Sequence, residues 1–190
     1  MNTPQPWFAL QTKPRNEKRV DYLLKQKGYE AFTPIYRQKR RWSDRTTEIE
    51  LPLFPRYTFC RLLPGALGKI VSIPGVNKIV GFGGKHAEVA PEEIEAFQVL
   101  AQSNCLREPW KYIPDGTLVL VKTGPLAGIR GIVRHDGDCR RFIISITLLQ
   151  QSVAIQLDDA TVVSVISRFN AEQPELSAES DLALRVLMHG

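Results

Sequence analysis

The chain has 190 residues, 43% of them apolar, and a net charge of +5, enough to bury a core in one domain or two small ones. No apolar run approaches the roughly 20 residues that span a bilayer, and Met1 to Pro6 is polar and proline-rich, unlike a signal peptide, so a soluble cytoplasmic protein is expected. The charge is uneven: residues 1–102 carry 16 Lys/Arg against 10 Asp/Glu, residues 103–168 carry 8 against 6, and residues 169–190 carry 1 against 4, which points to nucleic acid or an acidic protein surface as partner of the first part.

In chain order, Trp7 to Thr12 reads as a strand. Asn16 can cap a helix that gathers Val20, Leu23 and Leu24 on one face and ends at Gly28. Ala31 to Ile35 is the next strand candidate. Gln38 to Trp42, a Ser43-Asp44 turn and Thr46 to Leu51 form a hairpin arm with a basic first leg. The run Leu51-Pro52-Leu53-Phe54-Pro55-Arg56-Tyr57-Thr58-Phe59 follows. Two prolines within four residues interrupt a ladder, so this segment becomes a strand near Tyr57. Its aromatics are either core or a contact surface. Ala66 to Ser72 reads as a short helix, Ile73 to Val76 as a turn into Lys78 to Val80, and Gly81, Gly83 and Gly84 as a loop. Pro91, Glu92 and Glu93 begin a helix with Ile94, Phe97 and Ala101 on one face.

Residues 103–115 contain Pro109 and Pro114 without a clear period and read as a linker. Leu118 to Val121, Ile129 to Val133, Phe142 to Ile146, Val153 to Leu157 and Val162 to Ile166 are five apolar runs separated by turns, the pattern of a small β-barrel. The acidic end from Phe169 reads as a disordered tail. The expectation is therefore α+β: a sandwich with a mainly antiparallel sheet over residues 1–102, a linker at 103–115, a five-stranded barrel at 116–168 and a tail at 169–190. Cys60, Cys105 and Cys139 are odd in number and far apart, which fits reduced thiols.

Five stretches occur in an order that resembles the N-terminal (NGN) domain of NusG-type transcription elongation factors: Trp7-Phe8-Ala9-Leu10, the helix ending at Gly28, Phe32-Thr33-Pro34, Pro52-Leu53-Phe54-Pro55-x-Tyr57 and Ile73-Pro74-Gly75-Val76. The run Gly124-Pro125-Leu126-Ala127-Gly128-Ile129-Arg130-Gly131-Ile132-Val133 is similar to the KOW motif that follows in that family. The resemblance implies that Phe54, Tyr57 and Phe59 form the apolar patch holding the clamp helices of RNA polymerase's largest subunit. Rigid aromatics suit such a contact, because they give large buried area at low entropic cost.

It also places Lys13, Arg15, Lys18 and Arg19 on the side from which related factors approach upstream DNA, where they either neutralise phosphates or form a solvated helix face. In the arm, Lys39, Arg40, Arg41 and Arg45 with Trp42 between them offer charge and a stacking platform for DNA or nascent RNA. Leu148 and Leu149 fall where the family presents an apolar loop to a small-subunit ribosomal protein or to Rho, although Gln150 and Gln151 replace the usual aromatic-glycine pattern. Arg56 stands where many relatives have glycine. The basic arm, Arg56, the altered loop and the acidic tail point to a specialised paralogue of the RfaH or UpxY kind that suppresses pausing or termination. A general NusG assisting Rho and transcription-translation coupling is the alternative, and a ribosome-associated RNA-binding KOW protein is a third reading. A monomer without cofactor or metal is expected, and no enzyme: His86, His135 and His189 lack metal-ligand spacing, and no Walker loop, GxSxG or HExxH occurs.

Overall fold

The structure, a computed structural model, describes residues 5–41, 46–62, 64–103, 105, 107–111, 116–136, 139–157, 161 and 163–169. The expected arm tip, with Trp42 and Arg45, and residues 170–190 of the expected tail lie outside these.

Strand β1 (Trp7–Thr12) sends Trp7 and Ala9 into one apolar cluster and Phe8 and Leu10 into another, so it is buried on both faces. Asn16 precedes α1 (Glu17–Gln26) without capping it through its side chain; its Nδ2 donates to the carbonyl of Pro14 at 3.0 Å. Val20 and Leu24 are buried, and Gly28 leaves the helix at φ +81. Strand β2 (Ala31–Phe32) stops short of the expected Ile35, because Pro34 has no N–H for a ladder. From Ile35 the chain forms a separate two-stranded arm, β3 (Ile35–Arg41) with β4 (Thr46–Pro52), in which Arg37 faces Glu50 and Lys39 faces Glu48.

Strand β5 (Tyr57–Arg61) then lies antiparallel between β2 and β1, with Phe59 opposite both Phe32 and Ala9. Helix α2 (Leu67–Val71) leads to β6 (Val76–Ile79) on the other side of β1. The expected glycine loop is a small hairpin of β7 (Gly81–Phe82) and β8 (Lys85–His86). Gly83 and Gly84 both take positive φ, as its two-residue turn requires. Strand β9 (Glu88–Val89) adds to β1 beside Trp7.

Helix α3 (Pro91–Gln102) begins at Pro91 as expected and buries Ile94, Ala96, Phe97 and Leu100. Ala101, expected on that face, is exposed; the helical period carries the buried stripe from Phe97 to Leu100. The sheet order is β2-β5-β1-β6 with β9 beside β1. Helices α1 and α2 contribute Val20, Leu24 and Ile70 to the cluster on one face, and α3 contributes Ile94, Phe97 and Leu100 to that on the other.

The second unit is an antiparallel sheet of β10 (Arg107–Lys111), β11 (Gly116–Val121), β12 (Arg130–Asp136), β13 (Cys139–Ile146), β14 (Gln151–Gln156) and β15 (Val163–Phe169), in the order β10-β14-β13-β12-β11-β15. The last five correspond to the five expected runs, with Leu157 just past β14, Val162 outside the described residues, and Phe169, expected to open the tail, in β15 instead. The sixth, β10, falls in the segment read as linker. It is polar and contains Pro109, a residue that an edge strand tolerates. Val119, Val121, Phe142, Ile144, Val153 and Ile155 are buried together. Gly131 lies beneath Phe142, where a Cβ would stand 2.6 Å from the ring. The fold is thus α+β, an NGN-like sandwich followed by a KOW-like β unit. No helix among the described residues is long and apolar enough to cross a membrane.

Candidate functional site

Leu51 and Pro52 finish β4, and the backbone N–H of Leu53 donates to the carbonyl of Pro34 at 2.8 Å, which closes the base of the arm. Phe54 to Tyr57 is a tight turn, with Tyr57 N donating to Phe54 O at 3.1 Å. Pro55 suits its second position, while Arg56 takes φ +70 at the third, where glycine is favoured. Two bonds hold that backbone: Arg56 N donates to Glu17 Oε1 at 2.7 Å, and Arg56 O accepts from Thr12 N at 2.8 Å. Glu17 is 4% exposed, so a buried carboxylate at the start of α1 fixes the turn. Thr58 Oγ1 donates to the carbonyl of Glu17 at 3.2 Å and lies 2.7 Å from Thr33 Oγ1.

The turn separates the three aromatics. Phe54 and Phe59 are fully buried, while Tyr57 is half-buried. Phe54 meets Phe59 edge-on at 5.8 Å between centroids and Phe97 of α3 at 4.9 Å, geometries that aromatic quadrupoles favour. Phe32, Tyr36 and Tyr57 pack, partly buried, against the same cluster. Phe54 and Phe59 therefore form an inner layer. The accessible aromatic rim of this cluster is Tyr57 with Phe32 and Tyr36, two residues to which the sequence reading assigned no contact role.

Leu148 and Leu149 lie in a 3-10 turn (Thr147–Leu149) that ends at Gln150 with φ +52. Both are half-buried against the cluster that holds Phe54 and Phe97. The N–H of Thr147 donates to Glu93 Oε1 of α3 at 3.1 Å, and burial pushes the Glu93 carboxyl above its ordinary pKa. At the other end of α3, Arg107 of β10 donates from Nη1 to the carbonyls of Leu100 and Ser103. The aromatic run and the leucine turn, far apart in sequence, thus meet one apolar cluster.

Among the cations, Lys13, Arg15, Lys18 and Arg19 are all exposed around the start of α1. Lys18 Nζ binds Glu50 Oε2 at 2.8 Å, and Glu50 Oε1 lies 3.6 Å from Arg37 Nε. The Lys18 hydrogen bond and charge, joined by Arg37, hold the Glu50 carboxyl below its ordinary pKa. Glu50 therefore ties the arm to α1, a link foreshadowed only by the acidic second leg opposite the basic one. Lys39 and Arg41 are exposed along β3, and the backbone of Arg40 pairs with Thr47. Among the described residues, no group of three or more His, Cys, Asp or Glu is placed to hold a metal.

Residues 5–98 match the protein-family model described as transcription termination factor nusG. Over those residues the first unit is similar to the NusG family. The turn at Arg56, the aromatic layer and the Lys18-Glu50-Arg37 link all lie within it. Comparison with curated protein sequences gives no match. Among solved structures, one of Thermotoga maritima NusG, on its domain interaction, is 20% identical, with a TM-score of 0.48 over 80% of this chain and 92% of that one. A crystal structure of the MjSpt4:Spt5 complex is 18% identical, with a TM-score of 0.29 over 86% of this chain and 99% of that one.

Proposed function

We propose that this chain is a transcription elongation and antitermination factor, a specialised NusG paralogue of the RfaH or UpxY kind, which binds the clamp helices of RNA polymerase and suppresses pausing or termination in selected operons. One observation carries the reading: Tyr57 stands half-buried at the rim of an aromatic cluster inside a domain similar to the NusG family. Phe54 and Phe59 form the floor, and Tyr57 with Phe32 and Tyr36 meets the apolar stripe of a helix pair. A protein that binds both sides of the clamp favours its closed state by differential binding and needs no catalysis. Lys13, Arg15, Lys18, Arg19, Lys39, Arg40, Arg41, Trp42 and Arg45 would carry the nucleic-acid contact. The half-covered Leu148 and Leu149 favour a specialised factor over one that offers this turn freely to Rho or a ribosomal protein.

The test is binding to purified core RNA polymerase, followed by transcription through a pause site and a Rho-dependent terminator. Tyr57→Ala is expected to weaken polymerase binding about tenfold or more, as loss of an aromatic anchor does. Longer transcripts are expected with the unaltered chain. Increased Rho-dependent termination overturns the antitermination reading, and unchanged binding by Tyr57→Ala overturns the contact.

A further inference from the structure

Among the described residues, three that are not glycine take positive φ: Arg15 at +62, Arg56 at +70 and Gln150 at +52. Left-handed backbone carries a steric cost for an L residue that glycine avoids, and such outliers gather where a side chain is kept for function. Arg56 occupies the third position of the turn of residues 54–57. Its backbone is pinned on both sides, by Glu17 Oε1 at 2.7 Å and by Thr12 N at 2.8 Å. Its side chain is exposed and makes no hydrogen bond or ion pair among the described residues. A rigid backbone thus presents a free guanidinium at the turn that delivers Tyr57.

The charges around it do not supply a partner. Glu17 is buried and accepts the Arg56 backbone N–H rather than the guanidinium. Lys18 with Glu50 and Lys25 with Asp21 are closed pairs and add no net charge. Lys13 and Arg15 are exposed on the connection between β1 and α1, the segment that Thr12 and Glu17 bracket. Glu17 offsets part of the charge at a distance, and with Lys13 and Arg15 beside it the junction stays net positive.

We propose that Arg56 is a specificity-determining contact at the edge of the aromatic rim: its guanidinium pairs with an aspartate or glutamate that the clamp helix carries within one turn of the apolar stripe meeting Tyr57. This rests on the clamp contact proposed above and names the partner chemistry that the contact selects. Arg56 and Tyr57 are consecutive, with Cα atoms about 3.8 Å apart. A helix that covers the Tyr57 ring therefore excludes water from Arg56 as well, and a desolvated guanidinium weakens binding unless an anion meets it. Helix residues three or four apart are surface neighbours, so a carboxylate one turn from the apolar stripe lies in reach, and the planar fork takes it bidentately. A phosphate backbone has no apolar stripe to lay on Tyr57, Phe32 and Tyr36, which favours a protein carboxylate over nucleic acid as the partner of Arg56.

The test is binding of the full chain to purified core RNA polymerase, with urea unfolding of each variant alongside. Arg56→Gly relieves the left-handed backbone, so it is expected to hold or raise the urea midpoint while weakening polymerase binding roughly 5- to 30-fold. Arg56→Gln keeps an L residue at the same φ, is expected to lose as much, and reads the charge should Arg56→Gly disturb the turn. Arg56→Lys should lose less, because the charge remains without the fork, and Arg56→Glu more, because like charges then face each other. The proposal is overturned if Arg56→Gly and Arg56→Gln bind as the unaltered chain does, if Arg56→Glu binds as well as Arg56→Gln, or if these variants lose affinity for a short DNA duplex and keep it for polymerase. Tyr57→Ala separates the two readings. Unchanged polymerase binding in Tyr57→Ala removes the clamp contact itself, whereas binding lost in Tyr57→Ala and kept in Arg56→Gly removes the charge contact alone.

Discussion

Phe54 and Tyr57 stand three residues apart and have different physical roles. Phe54 is fully buried between Phe59 and Phe97, so Phe54→Ala is expected to cost about 3–5 kcal/mol of stability, read as a lower urea midpoint. Loss of polymerase binding by that variant would therefore report unfolding as much as contact. Half-buried Tyr57 can be truncated with far less damage, and it is the variant that isolates binding. Cys60 sits in the other cluster, where burial and, secondarily, the charges of Asp21 and Glu30 push its thiol up to about 12. The thiolate is the reactive form, so Cys60 is expected to resist alkylation at pH 8 until the chain unfolds. Peptide mapping after a pulse of reagent checks this, and rapid labelling of Cys60 in the folded chain contradicts it.

Helix α3 shows at the scale of an element what was legible in the sequence. Pro91 and the two glutamates marked its start, and the period marked most of its buried stripe. Neither could reveal that Thr147 bonds to Glu93 at one end or that Arg107 caps Leu100 and Ser103 at the other. Those partners come from strands that local pattern does not place, and β10 has no alternation to announce it. The turn at Arg56 is the complementary case: its prolines set where β5 begins, while the buried Glu17 that holds it lies 39 residues away.

Two outcomes follow for α3. Removing the charge-assisted bonds in Arg107→Ala should cost about 1–2 kcal/mol and speed amide exchange at Ser103, whose N–H bonds into the last turn. Glu93 has a raised folded pKa, so the folded chain binds its proton more tightly than the unfolded chain does. Its effect on stability is thus most favourable below the ordinary carboxylate pKa and is lost as pH rises through the folded value. Glu93→Gln keeps the acceptor for Thr147 N without the charge. It should raise the urea midpoint at pH 7, by an amount that shrinks as pH falls towards the carboxylate range.

At the scale of the whole molecule, the two apolar clusters differ in reach. The one containing Val20, Leu24 and Ile70 stays within the first unit, whereas the one containing Phe54, Phe97 and Leu100 continues into Phe142, Ile144 and Val153. Helix α3 packs on the sheet of the first unit and also lies against β13. Loss of packing atoms in α3 should therefore be felt on both sides, because close-packed interiors pass strain to their neighbours. Truncation on the α1 side should stay local, as substitutions at separated sites do. Hydrogen exchange of two variants of similar cost tests this. Leu100→Ala is expected to speed exchange in both β1 and β13, while Val20→Ala speeds it in β1 and leaves β13 unchanged. Equal protection of β13 in both variants would mean that α3 supports the first unit alone, and that the aromatic layer beneath Tyr57 is held in place without help from the second.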